Sequence, residues 1–183
     1  MPVLLVLNGP PAAGKSTIAR LYADRHPLAL RLDVDEIRDG LGDWRHQPEA
    51  AGLRARALAT AMARDHLRSG HDVVVAQTYG RPEHLDELRS VAREAGAAYN
   101  EIVLEVDLEA TLTRFHERGG PRLAEALETP AGLSAIAELH RRVRYLQEAR
   151  PWATGVESIT GDPLATYDAI IRVLATETRE HPL

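Results

Sequence analysis

The chain has 183 residues, 44% of them hydrophobic and 27% charged, a composition that fits one globular domain with a sizeable core. Its net charge of −5 argues against coating nucleic acid by bulk electrostatics and leaves small or singly docked substrates favoured. With no cysteine, disulfides, thiolate metal sites and cysteine catalysis are excluded, which suits a reducing cytoplasm.

In chain order, Val3 to Leu7 is a short continuous apolar run ending in a glycine loop, the pattern of an inner parallel strand covered on both faces. It is too short for a membrane span and lacks a basic flank, so neither a signal peptide nor a membrane partner is expected. A helix is predicted from about Lys15, with Ile18, Leu21 and Tyr22 on one face. Leu28 to Leu32 reads as a second strand and Val34 to Leu41 as a short helix behind it. Leu53 to Arg68 is alanine-rich and helical, with Leu58 and Met62 one turn apart, and Ser69-Gly70 ends it. Asp72 to Gln77 supplies a β-branched strand, and Pro82 to Ala95 a helix stopped by Gly96. Ile102 to Val106 is a fourth strand, followed by a helix burying Leu108, Leu112 and Phe115. After a polar, glycine- and proline-punctuated connection, Ile136, Leu139, Val143 and Leu146 mark an arginine-decorated helix. Val156 to Ile159 is a last strand, and Asp162-Pro163 caps a terminal helix carrying Leu164, Tyr167, Ile170, Ile171 and Leu174. Strands alternating with helices predict an α/β fold, a three-layer α/β/α sandwich with a five-stranded parallel sheet, as a single domain over residues 1–183.

Of 22 Lys plus Arg residues, 21 are arginine; the one lysine is Lys15, inside GPPAAGKST. That stretch, Gly9, Pro10, Pro11, Ala12, Ala13, Gly14, Lys15, Ser16 and Thr17, satisfies G-x-x-x-x-G-K-[ST] between a predicted strand and a predicted helix. Successive backbone N–H groups at a helix N-terminus form an anion cup, and glycines let the main chain approach phosphates closely. A compact ammonium on a flexible stem serves β- and γ-phosphates where a wide guanidinium would crowd the loop. These residues are the expected ATP-binding loop of a P-loop NTPase fold, with Ser16 on Mg²⁺.

LDVDEIR, Leu32 to Arg38, places two aspartates at the C-terminal end of the second strand, on the sheet edge where open α/β folds bind ligands. Here the chain resembles the P-loop kinases that phosphorylate hydroxyl groups, the zeta toxin, chloramphenicol phosphotransferase and polynucleotide 5′-kinase group. The resemblance implies that Asp35 takes the proton of the acceptor hydroxyl and that Arg38 holds the acceptor. Asp33 could hold Mg²⁺ through water, and reads equally well as a helix N-cap. In RFHERGGPR, Arg114, Arg118 and Arg122 fall in a lid region of about residues 114–134, where the resemblance implies arginines closing over the triphosphate; Arg118 and Arg122 are the expected pair. Arg141, Arg142 and Arg144 read more simply as a solvated helix face.

The polynucleotide kinases carry an acceptor-side aspartate where this chain has Gln77, followed by Thr78 and Tyr79, which disfavours nucleic acid. Gln77, Thr78 and Tyr79 are expected to line a pocket for a polyhydroxylated or aromatic molecule, or to cap the strand end; Trp44 would stack on an acceptor ring or anchor a loop. Thr160, Gly161 and Asp162 lie where relatives place the adenine ring. The eight histidines show no metal-ligand spacing. The expected function is an ATP- and Mg²⁺-dependent phosphotransferase acting on a hydroxyl of an antibiotic, sugar or nucleoside. The alternatives are a polynucleotide or nucleotide-sugar kinase and a non-catalytic ATP-binding module.

Overall fold

Both faces of the central sheet are covered, and this explains why its strands read as unbroken apolar runs. In this computed structural model residues 1–118 and 130–180 are described, with side chains for 1–114 and 132–176. The elements are β1 (Val3–Asn8), α1 (Lys15–Arg25), β2 (Leu30–Leu32), α2 (Val34–Asp39), α3 (Pro48–Arg68) and β3 (Val73–Ala76). They continue as α4 (Glu83–Ala95), β4 (Ala98–Glu105), α5 (Leu108–Arg118), α6 (Pro130–Glu148), β5 (Ala153–Glu157) and α7 (Pro163–Glu180). The five strands form one sheet in the order β2-β3-β1-β4-β5, and every pairing is parallel.

Alternation along each strand sends successive side chains to opposite faces. Leu4, Val6, Val73 and Val75 pack with Ala63, Leu67, Leu85, Leu88 and Val91 of α3 and α4, and with Leu146 of α6. Leu5, Leu7, Val74 and Ala76 pack on the other side with Ile18 and Tyr22 of α1 and Tyr167 and Ile170 of α7. All five strands point their C-terminal ends to one edge. From β1 the chain runs outward to β2, returns through β3 and then crosses to β4 on the far side. The crevice beside β1's C-terminal end is therefore the topological switch point, the preferred ligand position of such sheets.

Several boundaries differ from the sequence expectation, each for a physical reason. β2 starts at Leu30 because Leu28 adopts a left-handed backbone, φ 59°, in the turn before it. α3 starts at Pro48, and its buried face is Ala51, Ala55, Ala59, Ala63 and Leu67, while Met62 is 43% exposed. β4 begins at Ala98 because Asn100 and Glu101, polar as they are, pair in register with Leu5 and Val6. β5 lies a few residues earlier than the apolar run suggested. In α5, Leu108 is exposed and Thr111 is the residue turned fully inward; the Phe115 side chain lies outside the described ones. Among the described residues, no helix is long and apolar enough to cross a membrane.

Candidate active site

The loop between β1 and α1 is built around residues that other side chains could not replace. Gly9 has φ 145°, and a Cβ there would lie 2.8 Å from the Leu104 carbonyl oxygen of β4, so the chain can turn this close to the sheet only as glycine. Ala12 at φ 59° and Gly14 at φ 88° put two further left-handed residues on either side of Ala13. Alternating backbone hand turns successive N–H groups toward one side, the geometry of an anion nest. An alanine held left-handed costs about 1–2 kcal/mol, so the loop carries strain at Ala12.

α1 opens from Gly14 with no described side chain capping it and no acidic residue in its first turn. The helices that open after the other strands meet acidic side chains: Asp33 caps α2, Asp107 accepts from Ala110 N–H at the start of α5, Asp162 Oδ1 accepts from the Ala165 N–H in the first turn of α7, and α4, itself without a side-chain cap, has Glu83 and Asp86 in its first turn. The positive end of α1 is thus left for an outside anion. Lys15 is buried, and its Nζ donates to the carbonyl oxygens of Gly9 at 3.0 Å and Pro10 at 2.8 Å, holding the ammonium across the loop. Ser16 follows on the same turn, half-buried, and Thr17 is exposed.

Two side chains that the sequence reading did not single out hold this loop. Asn8, buried at the end of β1, accepts through Oδ1 from the N–H groups of Gly9 at 2.8 Å and Tyr79 at 2.9 Å, and donates from Nδ2 to Tyr79 O at 3.3 Å. It ties the start of the phosphate loop to the connection after β3. Ser158, just past β5, donates from Oγ to the Ala13 carbonyl at 3.0 Å. A polar residue closing an apolar strand immediately before a loop glycine is a signal that could have found Asn8. Ser158 offers no such local signal.

On the side expected to take the acceptor, Asp33 and Asp35 stand past the end of β2. Only β3 lies between β2 and β1, so with strands about 4.8 Å apart they lie on the order of 10 Å from the phosphate loop. Asp33 Oδ1 accepts from the N–H groups of Asp35 at 3.0 Å and Glu36 at 3.4 Å, the N-cap arrangement. Burial raises its pKa above the ordinary carboxylate range, against the lowering effect of those two N–H groups. Asp35 is 54% exposed and pairs with Arg38 Nη1 at 2.8 Å. The Arg38 guanidinium lies 4.6 Å from the centre of the Trp44 ring, with Arg45 at 4.8 Å from the same ring, so Trp44 serves as a platform for arginine. Arg38 Nε is buried with no hydrogen-bond partner among the described residues.

Gln77 and Thr78 are half-buried at the end of β3. Tyr79 is buried, its pKa pushed up by desolvation, and its hydroxyl has no hydrogen-bond partner among the described residues. Its ring lies 5.4 Å from that of His84.

Of the three arginines that the sequence reading assigned to a lid, Arg114 is bound to the β5–α7 connection: Nη1 donates to Ser158 Oγ at 3.0 Å, and Nη2 to Ser158 O at 2.9 Å and to Thr160 Oγ1. Arg118 ends α5 with its side chain outside the described ones, and Arg122, with residues 119–129, lies outside the described residues. Arg141 and Arg142 pair with Glu138 on their own helix and Arg144 with Glu148. Asp107, at the end of β4, caps α5 by accepting from Ala110 N–H at 2.7 Å. Among the described residues no group of three or more His, Asp or Glu gathers to hold a metal, so a cation here would depend on phosphate oxygens as well as on Ser16 and Asp33.

Residues 4–146 match the AAA domain family, AAA_33. The chain belongs to that family. This AAA domain is 27% identical over 184 aligned positions to an adenylate kinase of Deinococcus radiodurans, covering 91% of this chain and 92% of the relative. Its fold is similar to a solved structure from Chloroflexus aurantiacus, with a TM-score of 0.69, 18% identity and coverage of 99% of this chain and 98% of that one. It is also similar to a gluconokinase from Sinorhizobium meliloti 1021, with a TM-score of 0.58, 17% identity and coverage of 97% and 98%. The chain thus has the P-loop kinase fold.

Proposed function

We propose that the protein is an ATP-dependent phosphotransferase that moves the γ-phosphoryl group to a hydroxyl of a small molecule. The observation that carries this reading is the presence, on one sheet edge, of the uncapped Lys15 loop and, across the one intervening strand β3, the Asp35–Arg38 ion pair. Phosphoryl transfer asks the protein mainly for positioning and charge neutralisation, with a carboxylate to orient and accept the acceptor's proton.

In this reading the loop amides and Lys15 bind the β- and γ-phosphates. Ser16 and Asp33 would hold Mg²⁺, which, when bound, would neutralise negative charge on the triphosphate. Arg38, steadied on Trp44, holds the acceptor. Asp35, ion-paired to Arg38 and exposed, accepts the hydroxyl proton as the hydroxyl oxygen attacks phosphorus and the bond to the β-phosphate bridge breaks. Gln77 and Thr78 line the acceptor side, with Tyr79 behind them, and Arg118 and Arg122 stabilise the transferred charge. The protein acts as one nucleotide-binding unit with a lid at about 114–134.

A second acceptor class, a nucleoside monophosphate, is favoured by the 27% identity to an adenylate kinase. ADP release from Mg·ATP across aminoglycosides, chloramphenicol, sugars, nucleosides, AMP and a 5′-hydroxyl oligonucleotide tests the reading. Turnover that requires a hydroxyl acceptor and falls by about 10²-fold or more in Asp35→Asn is expected. Turnover with AMP alone selects the second class. ATP binding without turnover on any acceptor leaves a binding module.

A further inference from the structure

The Ala13–Gly14 peptide leads from the phosphate loop into α1. It joins Ala13 to the left-handed Gly14, φ 88°, and a glycine on its C-terminal side lowers the steric barrier to rotation of the peptide plane. Its orientation matters because the carbonyl and the following N–H belong to one rigid trans unit and point in opposite directions. Fixing the Ala13 oxygen therefore fixes where the Gly14 N–H points.

The contact that fixes it comes from a residue 145 positions away. Ser158 Oγ lies 3.0 Å from Ala13 O and 3.0 Å from Arg114 Nη1. A guanidinium can only donate, so the hydroxyl accepts from Arg114 and its single proton goes to Ala13. Donation from a charged group polarises the hydroxyl and strengthens its own bond. Arg114 is held in turn by the Ser158 carbonyl at 2.9 Å and by Thr160 Oγ1. We propose that Ser158, oriented by Arg114, is a positioning residue that locks the Ala13–Gly14 peptide in its anion-binding orientation, so that triphosphate affinity depends on a hydroxyl supplied from beyond β5. The proposal rests on the phosphate-loop reading above.

Calorimetric titration of the full chain with inorganic tripolyphosphate, ATP and adenosine separates the two. The wild type should bind tripolyphosphate and ATP. Ser158→Ala should weaken both by about three- to tenfold, the loss of one net hydrogen bond, and leave adenosine unchanged. Ser158→Thr, which keeps the hydroxyl, should recover most of the affinity. Arg114→Lys, which keeps the charge and loses the fork, should weaken tripolyphosphate in the same direction, and combining it with Ser158→Ala should add little, because both changes break one chain of bonds. If the wild type binds tripolyphosphate and Ser158→Ala binds it equally well, the lock is wrong and the loop reading stands. Equal weakening by Ser158→Ala and Ser158→Thr, or equal weakening of adenosine, also overturns the lock. No binding of tripolyphosphate or ATP by the wild type overturns both.

Discussion

His84 shows how a buried side chain beside the acceptor edge makes the fold sensitive to pH. Its Nδ1 lies 3.1 Å from Glu87 Oε2, so the neutral ring donates there, and its Nε2 is buried without a hydrogen-bond partner among the described residues. Burial lowers its pKa, an effect that the Glu87 carboxylate partly opposes. The unfolded chain then binds the proton more readily than the folded one, so stability is lost as pH falls below about 6.5, the ordinary histidine value. Urea unfolding between pH 8 and 5 should show that decline, and His84→Asn should flatten it. Lys15 and its loop were legible because a phosphate cradle needs glycines and an ammonium at fixed local spacing. Asp35 and Arg38 take their proposed roles from position and resemblance. Asn8 and Ser158 were not read as site residues, since each acts through backbone groups brought to it by the fold, Ser158 across 145 positions.

Among the elements, α2 carries Asp35 and Arg38, the proposed acceptor-side residues, and depends on α3 for its place. Val34 of α2 packs on Ala55 and Ala59 of α3, with Ile37 and Leu41 beside them. Only small side chains on α3 let the six-residue α2 lie this close, which explains why alanines and not Leu53 or Met62 form the buried face. Sequence patterning located the helix but weighted its large apolar residues, and so misplaced both its start and its inner face. Ala59→Leu overfills this contact and should cost about 1–3 kcal/mol of stability. It should also raise the acceptor KM more than the ATP KM, because α2 moves and the phosphate loop does not. Steady-state kinetics with each substrate varied would check this; equal effects on both would mean that α2 does not position the acceptor.

Across the whole molecule, the alternation of apolar and helical segments was enough to predict a parallel sheet between two helical layers, because only two covered faces allow strands like VLLVL and VVVA. The strand order was not legible, since each crossover could place its strand on either side of β1. Glu101 hid the true length of β4: a carboxylate in a strand reads as its end, yet here Arg150 Nε lies 3.0 Å from both Glu101 oxygens and Nη1 lies 2.6 Å from Asp86, while Tyr99 donates to Glu101 at 2.9 Å. This group joins β4, α4 and the segment between α6 and β5. Arg150→Met should destabilise the protein by about 3–5 kcal/mol, measured by urea unfolding, because it leaves the buried Glu101 carboxylate without its cation.

Transfer to a hydroxyl can be read from phosphorus NMR of the product formed from Mg·ATP and the acceptor that gives the fastest ADP release. A new phosphate monoester resonance, growing in step with ADP and absent with Asp35→Asn, is the predicted result. A phosphoanhydride resonance, or inorganic phosphate alone, would contradict transfer to a hydroxyl.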